Sequence, residues 1–346
     1  MPAQPGAPAN GVDTVNDAIR SIGTVAVTFT LTILYLGITA ASTTHAQLLR
    51  GRDLELPLLD VEVPVFDFFR FAPLMLVALH LVFLLQVLFV YRRLRGLGDL
   101  DGRQDLVAPS IFSEAGLPRE RTSLLVLLVR LVVLAILLVP LVLLAVMQGK
   151  FLPYHEPEIT RWFHQVPALI DLLLCGWLVP LILSRDGTWR GFRTPRPQAG
   201  CAYVVLTRTV FVLILLAFLL FSWVVAVVPS EGEQDHRTGL AWALGLRRNL
   251  DVSGQRLVDP ESWRPTPGVA PRHATLNLSG RDLRGADFSH AILPGVDFRG
   301  ADLRNARFAG ADLRGSDFSP GIVDGPDAAP RATDLTNADF AGAVLD

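Results

Sequence analysis

Long blocks of apolar residues fill the chain up to Pro229, and a polar, glycine-rich tail follows them. A helix needs roughly 20 mostly apolar residues to cross a hydrocarbon layer about 30 Å thick. Stretches 22–41, 71–90, 123–147, 166–183 and 209–228 meet this requirement, so the pattern predicts about five transmembrane helices. The membrane domain is expected over 21–228, with a disordered tail over 1–20 and a connector over 229–249.

A different pattern begins at Leu278, where a Leu or Phe recurs at every fifth position. A period of five is neither helical nor strand-like, so it predicts a unit that turns a corner and points its apolar residue inward. Small residues stand two positions before each apolar residue, and Asp and Gly recur around them. The predicted core positions are Leu278, Leu283, Phe288, Leu293, Phe298, Leu303, Phe308, Leu313 and Phe318, followed after a break in register by Leu335 and Phe340.

This pattern resembles the pentapeptide-repeat family, whose unit reads A(D/N)LxG, and the whole chain resembles bacterial multi-span membrane pentapeptide-repeat proteins. The resemblance implies a right-handed quadrilateral β-helix with four pentapeptides in each coil, whose stacked coils share one core. The predicted fold is therefore a membrane α-helical bundle followed by a pentapeptide-repeat β-solenoid over 250–346. Breaks in register predict inserted loops near 258–273 and 319–332, and Trp242 is expected to cap the membrane end of the solenoid.

Ionisable and polar groups within the predicted spans are candidates for function because they are costly in lipid. These are His80, Gln86, Arg130 and Asp171. A direct pair between Arg130 and Asp171 is rejected, since antiparallel neighbours would place them roughly 15–20 Å apart. The simplest interpretation is that Arg130 and Asp171 reach opposite membrane faces while His80 bonds a neighbouring helix. The alternative is a polar pathway through the bundle.

A stripe of hydroxyl residues marks one face of the first predicted span. Thr24, Thr28 and Thr32 are spaced by four residues, which places them on one side of a helix. Such a stripe favours a helix–helix contact, because small hydroxyl residues let backbones approach closely. A pore lining in an oligomer is the alternative.

Two loops at the membrane surface also carry distinctive residues. The segment 56–69 alternates like a strand or an interfacial hairpin. In the segment 151–164, His155, Glu156, Glu158 and His164 match no known metal-ligand spacing, so no metal site is predicted there. Trp162 and Phe163 are expected to anchor the next span at the interface.

Arginines near the span ends predict the orientation of the membrane domain. They are concentrated in the second-to-third and fourth-to-fifth loops, which places the N-terminus in the cytoplasm and the solenoid outside it. The expected location is the bacterial inner membrane. A different span count would reverse the sidedness of the solenoid.

The composition narrows the classes of function. Charged residues make up 18% of the chain and the formal net charge is −2, which gives no support for nucleic-acid binding. The sequence contains no P-loop, GxSxG, HExxH or dinucleotide fingerprint, so neither an enzyme nor a cofactor is predicted. The predicted partners are the lipid bilayer, a protein partner of the solenoid and further copies of the chain.

Three functions remain open at this stage. The first is a membrane-anchored scaffold or sensor whose solenoid binds another protein. The second is an oligomeric channel or pore-forming effector regulated by the solenoid. The third, DNA mimicry against gyrase, is disfavoured because the relatives that do this are long, soluble and dimeric.

Overall fold

A computed structural model describes residues 9–50, 53–55, 62–96, 124–154, 159–184, 201–227, 249–258, 276–322 and 330–345. The helices are α1 (Ala9–Ser42), α2 (His45–Arg50), α3 (Val65–Gly96), α4 (Leu124–Phe151), α5 (Val166–Leu183) and α6 (Cys201–Val227). A 3₁₀ turn, Leu152–Tyr154, follows α4, and a π-helical segment, Thr160–Gln165, leads directly into α5.

Five helical stretches within the described residues are long and apolar enough to cross a membrane. They are Asp13–Ser42, Val65–Leu94, Leu128–Tyr154, Thr160–Leu183 and Val205–Val225. Many of their large apolar side chains are exposed, for example Leu173 at 72% and Leu31 at 60%. Such surfaces are unusual on a soluble monomer and fit contact with lipid. A multi-pass membrane protein is therefore compatible with this part of the fold.

Two boundaries differ from the sequence prediction. Helix α1 begins at Ala9, so the prediction of a disordered tail over 1–20 is wrong for its second half. The fourth candidate span begins at Thr160 rather than at 166, because the π-helical segment extends the helix toward its N-terminus. Asp171 consequently lies midway along this span instead of near its start.

A short antiparallel hairpin precedes α3. Strand β1 (Asp53–Glu55) pairs with β2 (Glu62–Pro64), with Leu54 opposite Val63. Part of the alternating segment 56–69 therefore forms a hairpin strand, whereas its last residues belong to α3. The tip of the hairpin lies outside the described residues.

The C-terminal region is built from pairings between residues twenty apart. Parallel bridges join Asp282 to Asp302, Asp287 to Arg307, and others at the same spacing. Each pentapeptide therefore pairs with the fourth one after it. Strands β3 (Leu276–Asn277) and β4 (Val296–Asp297) follow the same rule. The strands are only two residues long because the chain turns within every pentapeptide.

The turns explain the recurring glycines. At every fifth position the backbone adopts a positive φ, as at Gly285 (64°) and Gly310 (66°), a conformation that glycine adopts without steric cost. His290, Asn305 and Asn337 occupy the same position with φ of 58–59°. Asn and His are among the non-glycine residues enriched in this region of backbone space.

Two insertions interrupt the spacing without shifting the register. Asp251 bridges Asp287, 36 residues later, and Asp302 bridges Asp334, 32 residues later. The surplus over the usual twenty residues is 16 in the first case and 12 in the second. The second insertion is closed by an antiparallel pair, β5 (Gly321–Ile322) with β6 (Pro330–Arg331). The intervening segments 259–275 and 323–329 lie outside the described residues.

The chain divides into two compact units. The first contains most of the helical bundle: Met1–Ile38, Phe71–Met147 and Arg161–Ser222. The second contains the segments that connect the spans and the repeat region: Thr39–Arg70, Gln148–Thr160 and Trp223–Asp346.

Candidate functional site

The predicted core positions of the repeat region form one apolar column. All those from Leu278 to Leu313 are buried, and the small residues at Ala286, Ala291, Ala301 and Ala306 are fully buried beside them. Aromatic rings stack along the column, with Phe288 and Phe308 centroids 5.0 Å apart at an interplanar angle of 6°. Phe298 stacks on Phe318 in the same way.

The column opens at its C-terminal end. Phe318 and Phe340 are only partly buried, and Leu335 is 38% exposed. Leu335 is therefore not a buried core residue as predicted. It belongs to the last set of pairings in the described chain, so no further pentapeptide covers it.

The recurring aspartates have a structural role in the backbone. Each accepts a hydrogen bond from the backbone N–H two residues later, for example Ser289 N–H to Asp287 Oδ1 at 2.9 Å. This Asx turn satisfies a donor that the tight turn would otherwise leave unpaired. The aspartates at these positions therefore need no catalytic explanation.

Where arginine follows two positions later, the aspartate also forms an ion pair. Arg304 donates from Nε and Nη2 to the two carboxylate oxygens of Asp302, at 2.9 and 2.8 Å. Bidentate forks of this kind are strong and fix the arginine in place. The same fork joins Asp282 to Arg284, Asp297 to Arg299, and Asp312 to Arg314.

Some forks extend to the next pentapeptide in the bridged row. Arg304 Nε lies 3.6 Å from Asp334, and Arg299 Nε lies 3.7 Å from Asp317. The ion pairs form two linked rows, which are together called here the Asp–Arg surface. One row contains Asp282, Arg284, Asp302, Arg304 and Asp334, and the other contains Asp297, Arg299 and Asp317. Burial alone would raise the pKa of Asp297, but hydrogen bonds from the Arg299 side chain and backbone outweigh it and lower the pKa.

The first pentapeptides of the repeat region pack on the connecting segments of the second unit. Arg281 donates from Nη1 to the Tyr154 hydroxyl, and its guanidinium carbon lies 4.3 Å from the Tyr154 ring centroid and 5.5 Å from that of Phe66. The Tyr154 hydroxyl in turn donates to the carbonyl of Leu48 at 2.6 Å. We call Phe66, Tyr154 and Arg281 the anchor cluster.

Helix α2 covers the N-terminal end of the apolar column. Leu49 is buried in the same cluster as Leu250 and Val252, and Ala46 packs against it. Arg50, the last residue of α2, donates from Nε to the carbonyl of Leu257 at 2.9 Å. Terminal caps of this kind shield the open end of a repeat array.

Neither this cap nor the anchor cluster was predicted from the sequence. Helix α2 is only six residues long, and its leucines carry no periodic signal. Trp242, the cap that the sequence suggested, lies outside the described residues, as does the connector 229–248. Tyr154 lies in the segment 151–164, and no pattern in that segment predicts a contact with the repeat region.

A buried polar cluster lies within the helical bundle. His80 on α3 and Asp171 on α5 are both fully buried, with His80 Nδ1 and Asp171 Oδ1 2.6 Å apart. His80 Nε2 lies 3.0 Å from the carbonyl of Leu137 on α4. Three candidate spans therefore meet at one imidazole. This pairing corrects the expectation that Asp171 reaches a membrane face, and agrees with the expectation that His80 bonds a neighbouring helix.

The contact between His80 Nε2 and the Leu137 carbonyl fixes the position of one proton of the His80–Asp171 pair. A carbonyl oxygen only accepts hydrogen bonds, so Nε2 carries a hydrogen that it donates to Leu137. A second proton must then lie between Nδ1 and Oδ1, because two acceptors do not approach to 2.6 Å without one. The pair as a whole is electrically neutral, which suits a site from which water is excluded.

Cys175 stands four residues after Asp171 on the same face of α5 and is fully buried. One donor atom each from His80, Asp171 and Cys175 lie within 4.8 Å of one another. The second carboxylate oxygen of Asp171, Oδ2, is buried without a hydrogen-bond partner among the described residues. Phe29 on α1 stacks on the His80 ring at 5.9 Å.

The other polar residues of the spans are not brought to this cluster by any described contact. Gln86 and Arg130 are half-buried at other positions of α3 and α4. Thr24 and Thr28 are exposed on α1 and Thr32 is half-buried. Each of these hydroxyls donates to a carbonyl of its own helix four residues earlier, as Thr28 does to Thr24 at 3.1 Å.

The aromatic residues before α5 lie at one end of its span. Trp162 is 60% exposed and Phe163 contacts Phe71 edge to face, with centroids 6.4 Å apart. His164 is buried. His155, Glu156 and Glu158 lie outside the described residues.

Comparison with known proteins identifies one part of the chain. Pentapeptide repeats match residues 282–319 in eight copies. No curated protein and no solved structure is significantly similar to the chain. The match coincides with the bridged, fivefold-periodic segment described above, so residues 282–319 consist of pentapeptide repeats.

Proposed function

We propose that this protein is a membrane-anchored scaffold or sensor, in which the five long helices hold the chain in a bilayer and the repeat region binds another protein. The Asp–Arg surface carries the proposal. Its arginines are fixed by bidentate forks, and several are linked onward to a second carboxylate. A preformed charge pattern of this kind loses little side-chain entropy on binding and selects a complementary partner.

In this proposal the repeat region is a right-handed quadrilateral β-helix. The twenty-residue spacing of the bridges supports four sides of five residues each. The stacked phenylalanines support a continuous core. The right-handed sense is what the family resemblance implies. Because neighbouring pentapeptides share one core, such a module is stiff and presents its charges at fixed intervals.

The anchor cluster supports the proposed sidedness. Tyr154 is the last residue of the third candidate span, Phe66 is near the start of the second, and Arg281 follows the fifth. If all five candidate helices cross the membrane, these three positions lie on the same side of it. Their contact requires this, so it supports an odd number of spans. Arginine counts then favour an extracytoplasmic repeat region in a bacterial inner membrane.

Photo-crosslinking from the repeat region of the full-length chain in native membranes tests the scaffold proposal. A photoreactive residue at position 319, an exposed position beside Asp317 that leaves both arginines in place, should crosslink to one protein partner. The same residue at 307, an exposed position outside the Asp–Arg surface, should not. The double variant Arg299→Gln with Arg304→Gln should lower partner recovery by about tenfold or more, since each charge-assisted contact contributes about 1.5–3 kcal/mol. Equal crosslinking from both positions, or from neither, would contradict the proposal.

A channel is the second candidate, favoured by the polar cluster at mid-span and by the hydroxyl face of α1. It requires several copies, because Thr24 and Thr28 lie on the outside of this chain. Ion flux into liposomes that contain the protein should then fall when both threonines are replaced by valine. Flux that is undetectable at any protein density would exclude this candidate and leave the scaffold proposal untouched.

A further inference from the structure

The buried polar cluster contains more chemistry than a hydrogen-bonded pair requires. His80 and Asp171 already form a neutral pair, yet Cys175 brings a thiol to within 4.8 Å of both. All three side chains are fully buried. A nitrogen, an oxygen and a sulfur donor therefore converge on one point in the bundle.

The unpaired oxygen of Asp171 is an independent sign that the cluster accommodates a ligand. Oδ2 is buried and lacks a hydrogen-bond partner among the described residues. The aspartates of the repeat region, by contrast, receive backbone or arginine donors. At a fully buried position, a carboxylate oxygen without a hydrogen-bond donor is costly unless something binds it.

The orientation of His80 fits metal ligation. A ligating histidine usually donates its other ring N–H to a carboxylate or a backbone carbonyl, which fixes the ring and its tautomer. His80 does this through Nε2 to Leu137 and leaves Nδ1 facing Asp171. The Leu137 carbonyl thus fixes the ring of His80 as a backbone carbonyl does for a metal-binding histidine.

From these contacts we propose that His80 Nδ1, the carboxylate of Asp171 and Cys175 Sγ bind a divalent transition metal ion such as Zn²⁺. Zinc takes nitrogen, sulfur and carboxylate ligands, and three protein ligands leave a fourth position for water or a further ligand. Calcium and magnesium are excluded because they need several oxygen ligands, whereas this cluster offers a single carboxylate.

Charge balance supports a divalent ion. The loaded site contains one carboxylate, one thiolate and a neutral imidazole, which together cancel the two positive charges. On binding, the ion replaces the proton between His80 and Asp171 and the proton of the Cys175 thiol, and both protons leave to solvent. The electron pairs stay on the ligand atoms and become metal–ligand bonds. The cluster is neutral before and after the exchange, so no uncompensated charge is buried.

Cobalt provides a direct probe, because a Co²⁺–thiolate bond gives a charge-transfer absorption in the near ultraviolet. The full chain, purified in lipid nanodiscs and stripped with a chelator, is titrated with Co²⁺ and then with Zn²⁺. We expect one Co²⁺ per chain, the thiolate band, and loss of the band when Zn²⁺ displaces cobalt. Replacement of Cys175 by serine should abolish the band, and His80→Asn or Asp171→Asn should weaken binding by at least about tenfold.

Cys201→Ser is the matched control, because Cys201 is the other of the two cysteines in the sequence and is not one of the three proposed ligands. It should retain the band and the stoichiometry. Circular dichroism and size-exclusion chromatography of each variant separate lost binding from lost fold. Absence of the band in the wild-type protein at saturating Co²⁺ would overturn the proposal. A band that survives Cys175→Ser or disappears in Cys201→Ser would overturn it as well.

Discussion

The guanidinium group of Arg281 lies over the ring of Tyr154, 4.3 Å from its centroid, and donates a hydrogen bond to the same residue's hydroxyl. Arg281 belongs to the repeat region, and Tyr154 is the last residue of the third candidate span. Since Tyr154 also donates to the carbonyl of Leu48, a single side chain joins three segments that are distant in sequence.

Replacing Arg281 by methionine should loosen this junction while preserving the apolar stem of the side chain. A partly desolvated cation–π contact contributes about 1–2 kcal/mol, so local opening should become roughly 5–30 times more frequent. Hydrogen–deuterium exchange of the amides in α2 and around Leu278 measures this directly. Arg307→Met, at an exposed position in a row away from the anchor cluster, is the control and should leave exchange unchanged. Equal effects of the two variants would contradict the assigned role of Arg281.

The His80–Asp171 pair should show strong thermodynamic coupling. Removing one partner leaves the other buried and uncompensated, which costs about 3–5 kcal/mol. His80→Leu and Asp171→Leu should each destabilise the bundle by that amount, while the double replacement should cost clearly less than their sum. Unfolding in detergent micelles, followed by tryptophan fluorescence, yields the double-mutant cycle. Additive losses would show that the two side chains act independently.

Acid should weaken the repeat region through its depressed carboxyl groups. The hydrogen bond from Arg314 holds the pKa of Asp312 below its ordinary value, against the opposing effect of burial. The pKa is lower in the folded state than in the unfolded state, so the stabilisation is complete above the unfolded value of about 3.9. It is lost as pH falls through the folded value.

Asp312→Asn tests this because asparagine keeps an oxygen for the turn but cannot form the charged fork. The variant should be less stable at neutral pH, and the difference from the wild type should shrink toward pH 3 and below. Thermal unfolding followed by near-ultraviolet circular dichroism at several pH values measures the difference. A gap that stays constant with pH would mean that the Arg314 fork contributes nothing.

We expect a second pH dependence of stability, closer to neutral pH, from His45, the first residue of α2. Burial, assisted by the positive charge of Lys150, lowers the pKa of His45, and Asp251 opposes the shift. The folded state therefore prefers neutral His45, so stability decreases as pH falls through the unfolded pKa of about 6.5 and levels off below the folded value. Protection of the α2 amides should fall as the pH is lowered below about 6.5. His45→Gln should remove that dependence; a dependence that persists would point to another group.

The sequence was most informative where its period was short and repeated. Leu278 to Leu313 were placed in the core because each recurs in the same chemical context, and a periodic pattern leaves few alternative folds. A break in the period likewise predicted inserted loops near 258–273 and 319–332, and the bridges in these parts of the chain span 16 and 12 extra residues. Leu335 was misjudged because its sequence pattern is identical to that of the buried residues, although it is 38% exposed in the structure.

The bundle was less predictable at the level of contacts. The lengths of the apolar stretches indicated five spans. They do not determine how deep in the membrane a given residue lies, or which helices are neighbours. Asp171 was placed near a membrane face because the π-helical extension of its helix begins in a polar segment. The meeting of His80, Leu137 and Asp171 depends on packing between three helices, which no local pattern in any one of them encodes.

The two insertions show how this repeat array can acquire new surfaces. Asp251 and Asp287 pair across 16 extra residues, and Asp302 and Asp334 pair across 12, without any change in which residues face inward. The corners at these positions are therefore permissive points where segments of unrelated sequence enter and leave the array. Natural variation at the two corners could diversify what the protein recognises while the core remains constant, and the same corners are suitable places to graft an epitope or a reporter.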